Sequence, residues 1–177
     1  MAAVSIAKQL GLTVVVTTRN KNKIDPLRNN GADYVIVDNG QIASAVKQLF
    51  SGNDDNGGGK GVNCVLELIG TVTLLDSMQA AAPKGLVCNT GVLANEWTIK
   101  NFEPLVDIPS TVKLTVYSSE TITATNSTKA LENVVEGVAN GSYHVNLDRV
   151  FRFEEIVEAH RYMEENKAKG KLVVKVE

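Results

Sequence analysis

Three cations without a neighbouring carboxylate follow an apolar run near the start of the chain. The run, residues 12–17 (LTVVVT), is mostly β-branched, which favours a buried strand. The cations are Arg19, Lys21 and Lys23, and residues 12–24 contain no Asp or Glu. In dinucleotide-binding domains an acid after the second strand holds a ribose hydroxyl, whereas an Arg there accommodates a 2′-phosphate. The pattern predicts a site for the phosphorylated adenosine of NADP(H); the alternative is a solvated basic turn.

The elements that must position this loop alternate along the chain. Apolar periodicity predicts helices over 1–11, 22–30, 41–50, 71–82, 127–140 and 153–167. Strands are predicted over 12–17, 34–37, 62–69, 85–89, 112–117 and 171–176, with an extended segment over 142–152. This alternation is typical of an α/β protein with a doubly wound, Rossmann-like parallel sheet and right-handed crossovers. The chain of 177 residues fits a single domain, 1–177.

Composition excludes several classes of function. The formal net charge of -2 argues against nucleic acid or a membrane surface as partner, and the longest apolar runs have the length of strands. Cys64 and Cys88 lie in apolar runs and are predicted to be buried, reduced thiols, as in a cytoplasmic protein. They have no neighbouring Cys or His, so no zinc or other metal site is predicted.

The segment 51–61 (SGNDDNGGGKG) is rich in glycine and lacks apolar side chains, which predicts a surface loop. A phosphate cradle is the alternative. The segment lacks the GxxxxGK[ST] pattern and a following helix, and it precedes a strand instead of following one. These features favour the loop.

Three longer stretches carry a resemblance to a known family. They are AKQLGLTVVVTTRNKNKIDPLRNNGADYVI (7–36), GKGVNCVLELIGTVTLLDSMQAAAPKGLVCNTGVL (59–93) and FRFEEIVEAHRYMEENKAKGKLVVKV (151–176). In order and spacing they resemble the medium-chain dehydrogenase/reductase superfamily, and within it the zinc-independent quinone-oxidoreductase-like branch. The resemblance covers nearly the whole chain and implies its cofactor-binding portion.

The resemblance also implies missing parts. The chain opens inside the helix that follows the family's glycine-rich turn, and no G-x-G-x-x-G occurs in it. We therefore expect a sheet truncated at its N-terminus and lacking its first strand, with 141–177 returning towards an absent catalytic domain. The empty position between strands 12–17 and 62–69 could close directly, or be filled by a second copy or by 171–176.

The resemblance places site residues at strand ends. Arg19 and Lys23 would face the 2′-phosphate, with lighter contacts from Thr18 and Asn20, while Asp38 occupies a position where a carboxylate opposes that phosphate. The ends of the next strands would approach the ribose and nicotinamide through Ile69, Gly70, Thr90, Gly91, Val92 and Leu93. The alternative for the glycines is a role in turns alone. Tyr117 and Ser118 end the following strand, near the expected nicotinamide.

The functional expectation is therefore the cofactor-binding portion of an NADPH-dependent oxidoreductase that reduces a quinone, enone or carbonyl compound. NADH is the less favoured cofactor, and the small-molecule substrate would bind only with the missing domain. No catalytic residue is assigned: His160 resembles a structural position, and His144 is expected at the surface. The alternative is a non-catalytic module that forms a homodimer through strand 112–117. A methyltransferase-like domain is disfavoured because the basic loop lacks an acid for the ribose.

Overall fold

The computed structural model describes residues 2–51, 61–121, 124–143, 145–165 and 167–176. Most of the glycine-rich segment, 52–60, and His144 lie outside these residues. The helices are α1 (Ala2–Gln9), α2 (Ile24–Asn29), α3 (Ile42–Leu49), α4 (Thr71–Ala80), α5 (Pro104–Asp107), α6 (Ala124–Ala139) and α7 (Ile156–Glu164). The strands are β1 (Val15–Thr18), β2 (Tyr34–Val37), β3 (Val62–Glu67), β4 (Ala81–Asn89), β5 (Lys113–Val116), β6 (Leu147–Arg152) and β7 (Lys171–Lys175). Single 3-10 turns precede α2, α6 and α7.

All the strand pairs are parallel, which confirms the Rossmann-like α/β fold. β1 pairs with β2, β4 lies between β3 and β5, and β6 pairs with β7. Each pair of successive strands is separated by a helix, as parallel pairing requires. The carboxyl ends of β3, β4 and β5 meet at one edge, because Glu67 is in register with Asn89 and Asn89 with Val116.

Two of the three ways of closing the position between β1 and β3 are not observed in the described residues. Among the described residues β1 forms no ladder with β3, so direct closure is not observed. The expectation that 171–176 fills the position is wrong, because β7 pairs with β6 from Leu147↔Lys171 to Arg152↔Lys175. β6 is nearer to β7 in the sequence than β1 or β3 is, and pairing with it satisfies the main-chain N–H and C=O groups of β7. A strand from a second copy stays a prediction.

Helices cover one face of the β3–β4–β5 sheet and hold the β1–β2 pair beside it. Leu74 and Met78 of α4 pack on Val87, and both Met78 and Val87 are fully buried. A second cluster joins the two groups of strands, because α3 and Ala80 of α4 pack together against Val15 of β1 and Val62 of β3. Helices α1 and α2 contribute Val4 and Leu27 to a third cluster on β1 and β2.

Several boundaries differ from those that the sequence predicts, and the short helix α5 was not predicted; the differences at β4 and β1 have a physical reason. β4 begins at Ala81 instead of residue 85, because Ala81 already pairs with Val62. The register of the ladder then shifts, and Pro83, which has no N–H to donate, lies in this irregular part. β1 runs over Val15–Thr18 and is half-buried with Thr17 exposed, so it is not the strand buried on both faces that composition suggests.

The prediction of two buried thiols is wrong for Cys64. Both cysteines are free, but Cys64 is exposed and Cys88 is only partly buried. Successive side chains of a strand point to opposite faces, and Val65, next to Cys64, packs towards α4. Cys64 therefore lies on the opposite face of β3, which it shares with the half-exposed Leu66. An apolar run does not reveal that one of its faces is left open.

A carboxylate of α4 caps α3 from outside that helix. Gln41, at the N-cap position, makes no side-chain capping bond, whereas Asp76 accepts hydrogen bonds from the N–H groups of Ile42 (2.7 Å) and Ala43 (3.3 Å). These bonds satisfy donors that a helix leaves unpaired at its first turn. Because α3 follows β2 and α4 follows β3, Asp76 fastens the two groups of strands together.

We expect the Asp76→Ala variant to lower the free energy of unfolding by about 1 to 2 kcal/mol, because both amides lose their acceptor. Chemical denaturation followed by circular dichroism measures the change. The matched control is Gln79→Ala, an exposed position of the same helix that should change stability by less than about 0.5 kcal/mol. Equal stabilities of the two variants would contradict the capping role.

Asp33 ties the beginning of β1 to α1 and makes stability depend on pH. Its carboxylate accepts hydrogen bonds from Lys8 Nζ (2.9 Å) and from the Val14 N–H (2.7 Å). Both contacts, the Lys8 bond foremost, hold the pKa of Asp33 below its ordinary value. Because this pKa is lower in the folded than in the unfolded state, the stabilisation is complete above the ordinary Asp pKa and disappears as the pH falls towards the lowered value.

We therefore expect Asp33→Asn to lose less stability than the wild type when the pH is lowered from 6 through the ordinary range of Asp titration, roughly pH 4. Urea unfolding at a series of pH values measures this difference. Asp25→Asn, at an exposed aspartate with no such bonds among the described residues, should retain the wild-type slope. If wild type and Asp33→Asn lose stability in parallel, Asp33 is not the group responsible.

None of the described helices combines the length and the apolar character that a transmembrane span needs.

Candidate functional site

The predicted site residues fall into two groups at the carboxyl edge of the strands. The first group lies at the end of β1 and in the loop after it, and comprises Thr18, Arg19, Asn20 and Lys23. The second group follows β3 and β4 and comprises Ile69, Gly70, Thr90, Gly91, Val92 and Leu93. In open parallel sheets this edge is where ligands bind.

Two polar side chains of the first group shape the loop itself. Thr18 Oγ1 accepts a hydrogen bond from the Asn20 N–H (3.2 Å), and Asn20 Oδ1 accepts one from the Asn22 N–H (2.9 Å). The second bond caps the 3-10 turn Lys21–Lys23 that leads into α2. Thr18 and Asn20 therefore fix the backbone from which Arg19 and Lys23 project.

The two cations of the first group differ in their surroundings. Arg19 Nε lies 3.5 Å from Asp38 Oδ2, and the Arg19 side chain is 69% exposed. Asp38 also accepts a hydrogen bond from the Gly40 N–H (2.8 Å), which keeps its carboxylate beside the loop. Lys23 is exposed and has no ion-pair partner among the residues that the structure describes. The pair is long, and although the Asp38 side chain is only 11% exposed, the Arg19 guanidinium is largely open to solvent and accessible to an anion.

A cavity of about 320 Å³ opens beside Arg19, between the β1–β2 pair and the β3–β4–β5 sheet. Polar groups of the turn after β2 form one wall, and the first turns of α3 and α4 form the other. The lining residues are Arg19, Asp38, Asn39, Gly40, Ile42, Val72, Thr73 and Asp76. Ile42 and Val72 supply apolar surface against which a flat ring could lie. Of these residues, sequence reasoning identified only Arg19 and Asp38. The signal that could have revealed the others is that they lie in the turn after β2 or in the helices that follow β2 and β3.

The second group rests on a buried acid that sequence reasoning also missed. Glu67, the last residue of β3, is only 4% exposed. Its carboxylate accepts hydrogen bonds from the N–H groups of Ile69 (2.7 Å) and Gly70 (3.2 Å), and from the hydroxyl of Ser77. The one available signal is a charged residue inside the apolar run CVLELIG, because a buried carboxylate needs such partners.

Gly70 and Gly91 accommodate the protein's own backbone. Gly70 has φ of +99°, and a Cβ on it would lie 3.0 Å from the carbonyl oxygen of Gly91. A Cβ on Gly91 would lie 2.8 Å from Leu68 Cα and closer still to the Leu68 carbonyl oxygen. Both glycines are thus required for the contact between the ends of β3 and β4. This packing role goes beyond the role in turns that is the alternative in the sequence analysis. Their approach to a ribose or nicotinamide stays a prediction.

Three main-chain hydrogen bonds hold the segment after β4 on the segment after β3. They run from Thr90 to Glu67 (2.9 Å), from Leu93 to Leu68 (3.1 Å) and from Ala94 to Ile69 (3.0 Å), N–H to carbonyl in each case. The polar groups of Ile69 and Gly70 are consequently engaged inside the protein.

A buried acceptor without a hydrogen-bond partner among the described residues lies at this edge together with exposed apolar side chains. The Oδ1 atom of Asn89, at the end of β4, is buried and has no hydrogen-bond partner among the described residues. Leu93 is 75% exposed and Tyr117 54% exposed. Ser118, the other residue expected near a nicotinamide, follows Tyr117 and is partly buried. A buried orphan acceptor beside exposed apolar side chains is compatible with a ligand that carries both donors and a ring.

Within the described residues, no group of three His, Cys, Asp or Glu side chains could hold a metal ion. His160 is exposed on α7.

The parallel ladders and the ligand edge define a Rossmann-like α/β protein. The chain belongs to the zinc-binding dehydrogenase family, whose sequence model matches residues 30–174. This match confirms the resemblance to the medium-chain dehydrogenase/reductase superfamily.

Individual relatives agree with this assignment. A zinc-type alcohol dehydrogenase-like protein of Schizosaccharomyces pombe is 25% identical over 99% of the chain, which covers 48% of that protein. Among solved structures, the quinone oxidoreductase of Escherichia coli complexed with NADPH is similar with a TM-score of 0.81 at 20% identity, over 99% of this chain and 53% of that one. A mycobacterial quinone oxidoreductase has a TM-score of 0.83 at 22% identity, over 99% and 52%. The chain thus spans about half the length of these relatives.

Proposed function

We propose that this chain is the cofactor-binding portion of an NADPH-dependent oxidoreductase that transfers hydride to a quinone, enone or carbonyl compound. The observation that carries the proposal is Arg19, an exposed cation that lines the cavity from a capped loop at the carboxyl end of β1. Lys23, also exposed, ends the 3-10 turn of the same loop and is not among the residues that line the cavity. The NADPH complex of the Escherichia coli quinone oxidoreductase supports the same cofactor.

The residues of the first group would bind the adenosine end. Arg19 and Lys23 would donate charge-assisted hydrogen bonds to the 2′-phosphate, and the adenine would lie in the cavity against Ile42 and Val72. Asp38 is the group that opposes this arrangement. A 2′-phosphate carries more charge than the single carboxylate of Asp38, and it would compete successfully for a guanidinium that is held at 3.5 Å.

The residues of the second group would face the ribose and nicotinamide. Gly91 and Val92 offer N–H groups without an internal acceptor among the described residues, and Leu93 offers apolar surface. When bound, the reduced nicotinamide supplies the hydride, so the protein's part is to hold and orient it. We assign no catalytic acid or base, and because the chain spans half the length of its relatives, we expect little turnover from it alone.

The test is isothermal titration of the chain with NADPH, NADH and adenosine 2′,5′-bisphosphate. We expect NADPH and the bisphosphate to bind, and NADH to bind at least tenfold more weakly, because it lacks the phosphate that meets Arg19 and Lys23. NADH affinity equal to or higher than NADPH affinity would contradict the cofactor assignment. Absence of binding by all three would contradict the proposed function.

A homodimer through β5 is a second proposal with its own observation. Among the described residues β5 pairs with β4 along one edge and with no strand along the other, and Val116 is 70% exposed at its end. An open edge strand can pair with a second copy. Sedimentation equilibrium should then show a dimer that Val116→Lys converts to monomer. If the wild type is monomeric, this proposal fails without affecting the cofactor site.

A further inference from the structure

We infer that Glu67 is a positioning residue for the nicotinamide half of the cofactor site, an inference that rests on the proposed function. Glu67 does not reach the edge itself, because its side chain is buried beneath the turn that follows β3. It acts through the backbone of residues 68–70, on which the segment 90–94 lies.

The carboxylate determines the shape of the turn. It draws the N–H groups of Ile69 and Gly70 inward, and Gly70 adopts φ of +99° at the beginning of α4. The other carboxylate oxygen accepts a hydrogen bond from the hydroxyl of Ser77, which lies about two turns further along α4 and is itself buried. The turn is thereby fixed to the helix by a side chain of the preceding strand.

The turn formed by residues 68–70 determines where the segment after β4 lies. Leu68 and Ile69 accept hydrogen bonds from Leu93 and Ala94, and the backbone of Gly91 packs directly on Leu68. The N–H groups of Gly91 and Val92 are those that we propose face the nicotinamide end. Any movement of residues 68–70 consequently displaces these two donors, whereas the loop of Arg19 belongs to β1 and is bonded to Asp38 instead.

The two halves of the site can be measured separately. Adenosine 2′,5′-bisphosphate occupies only the adenosine end, whereas NADPH extends to the nicotinamide end. We expect Glu67→Ala to weaken NADPH binding about tenfold and bisphosphate binding less, about threefold, because Val72 of the adenosine cavity also follows this turn whereas Arg19 and Lys23 do not. The blue shift of nicotinamide fluorescence on binding should also be smaller in the variant, because the ring is less firmly held. A purely structural role would weaken both ligands equally.

Conservative variants guard against misfolding. Glu67→Gln keeps an oxygen for the two amides and a polar group facing Ser77, so NADPH affinity should stay within about threefold of the wild type. Ser77→Ala releases only the helix anchor and should weaken NADPH about threefold with no loss of bisphosphate binding; it decides the question if Glu67→Ala does not fold.

The titrations distinguish a failure of the inference about Glu67 from a failure of the proposed function. If the wild type binds both ligands and the variants lose neither, or lose both equally, the inference about Glu67 is overturned and the proposed function stands. If the wild type binds neither ligand, both are overturned.

Discussion

The double variant Arg19→Ala/Lys23→Ala should bind NADPH about thirtyfold more weakly than the wild type. Each charge-assisted hydrogen bond to a phosphate is worth roughly 1 kcal/mol at a site as exposed as this one, and two are lost. Arg19 is 69% exposed, and Lys23 has no competing ion pair among the described residues. Isothermal titration of both proteins with NADPH measures the ratio of dissociation constants.

The same loop provides a matched control. Lys21 lies between the two cations in the 3-10 turn, and Lys21→Ala removes the same charge from a position that we do not assign to the phosphate. We expect it to weaken NADPH binding by less than about threefold. NADH, which lacks the 2′-phosphate, should bind the wild type and the double variant with similar affinity. If Lys21→Ala weakens NADPH as much as the double variant does, the effect is one of net charge and the assigned contacts are wrong.

The Gly91→Ala variant should lose about 3 kcal/mol or more of unfolding free energy. A methyl group on Gly91 would lie 2.8 Å from Leu68 Cα and closer to the Leu68 carbonyl oxygen, and both neighbours are main chain that cannot rotate away. The ends of β3 and β4 must therefore separate, and the hydrogen bonds from Thr90 to Glu67 and from Leu93 to Leu68 are strained with them. Denaturant unfolding followed by circular dichroism measures the loss.

Gly11→Ala separates this steric effect from backbone preference. Gly11 follows α1 with φ of +73°, and a Cβ there would meet no atom within 4 Å. Its substitution therefore costs only the left-handed conformation, about 1 kcal/mol. A loss at Gly91 no larger than that at Gly11 would show that the two strand ends are not in close contact. NADPH binding should decline only in the Gly91 variant, because Gly11 is remote from the strand ends.

The Gly91 and Glu67 variants both test the contact between the ends of β3 and β4. Gly91 permits the contact between the strand ends, and Glu67 fixes the turn against which that contact is made. If both variants impair NADPH more than adenosine 2′,5′-bisphosphate, the nicotinamide half of the site depends on this contact. The Arg19 loop is independent of it, since its bonds are to Asp38 and within residues 18–22.

The sequence by itself determined the class of fold, the position of the basic loop and, except for the short helix α5, the order of elements. These follow from local signals: apolar periodicity distinguishes strand from helix, and glycine or proline marks many of their ends. The loop of Arg19 and Lys23 was visible because its charge contrasts with the β-branched run before it. The family resemblance likewise rests on stretches that are contiguous in the chain, and the match over residues 30–174 confirms it.

Only the tertiary structure decided which distant groups meet. Glu67 binds the turn after its own strand and Ser77, Asp76 caps a helix more than thirty residues earlier, and Gly91 packs on Leu68. It also showed that β7 pairs with β6 and that Cys64 lies on an open face. The physical reason is that a partner, a strand register or an exposed face depends on how elements pack, and a local pattern contains no information about what lies opposite.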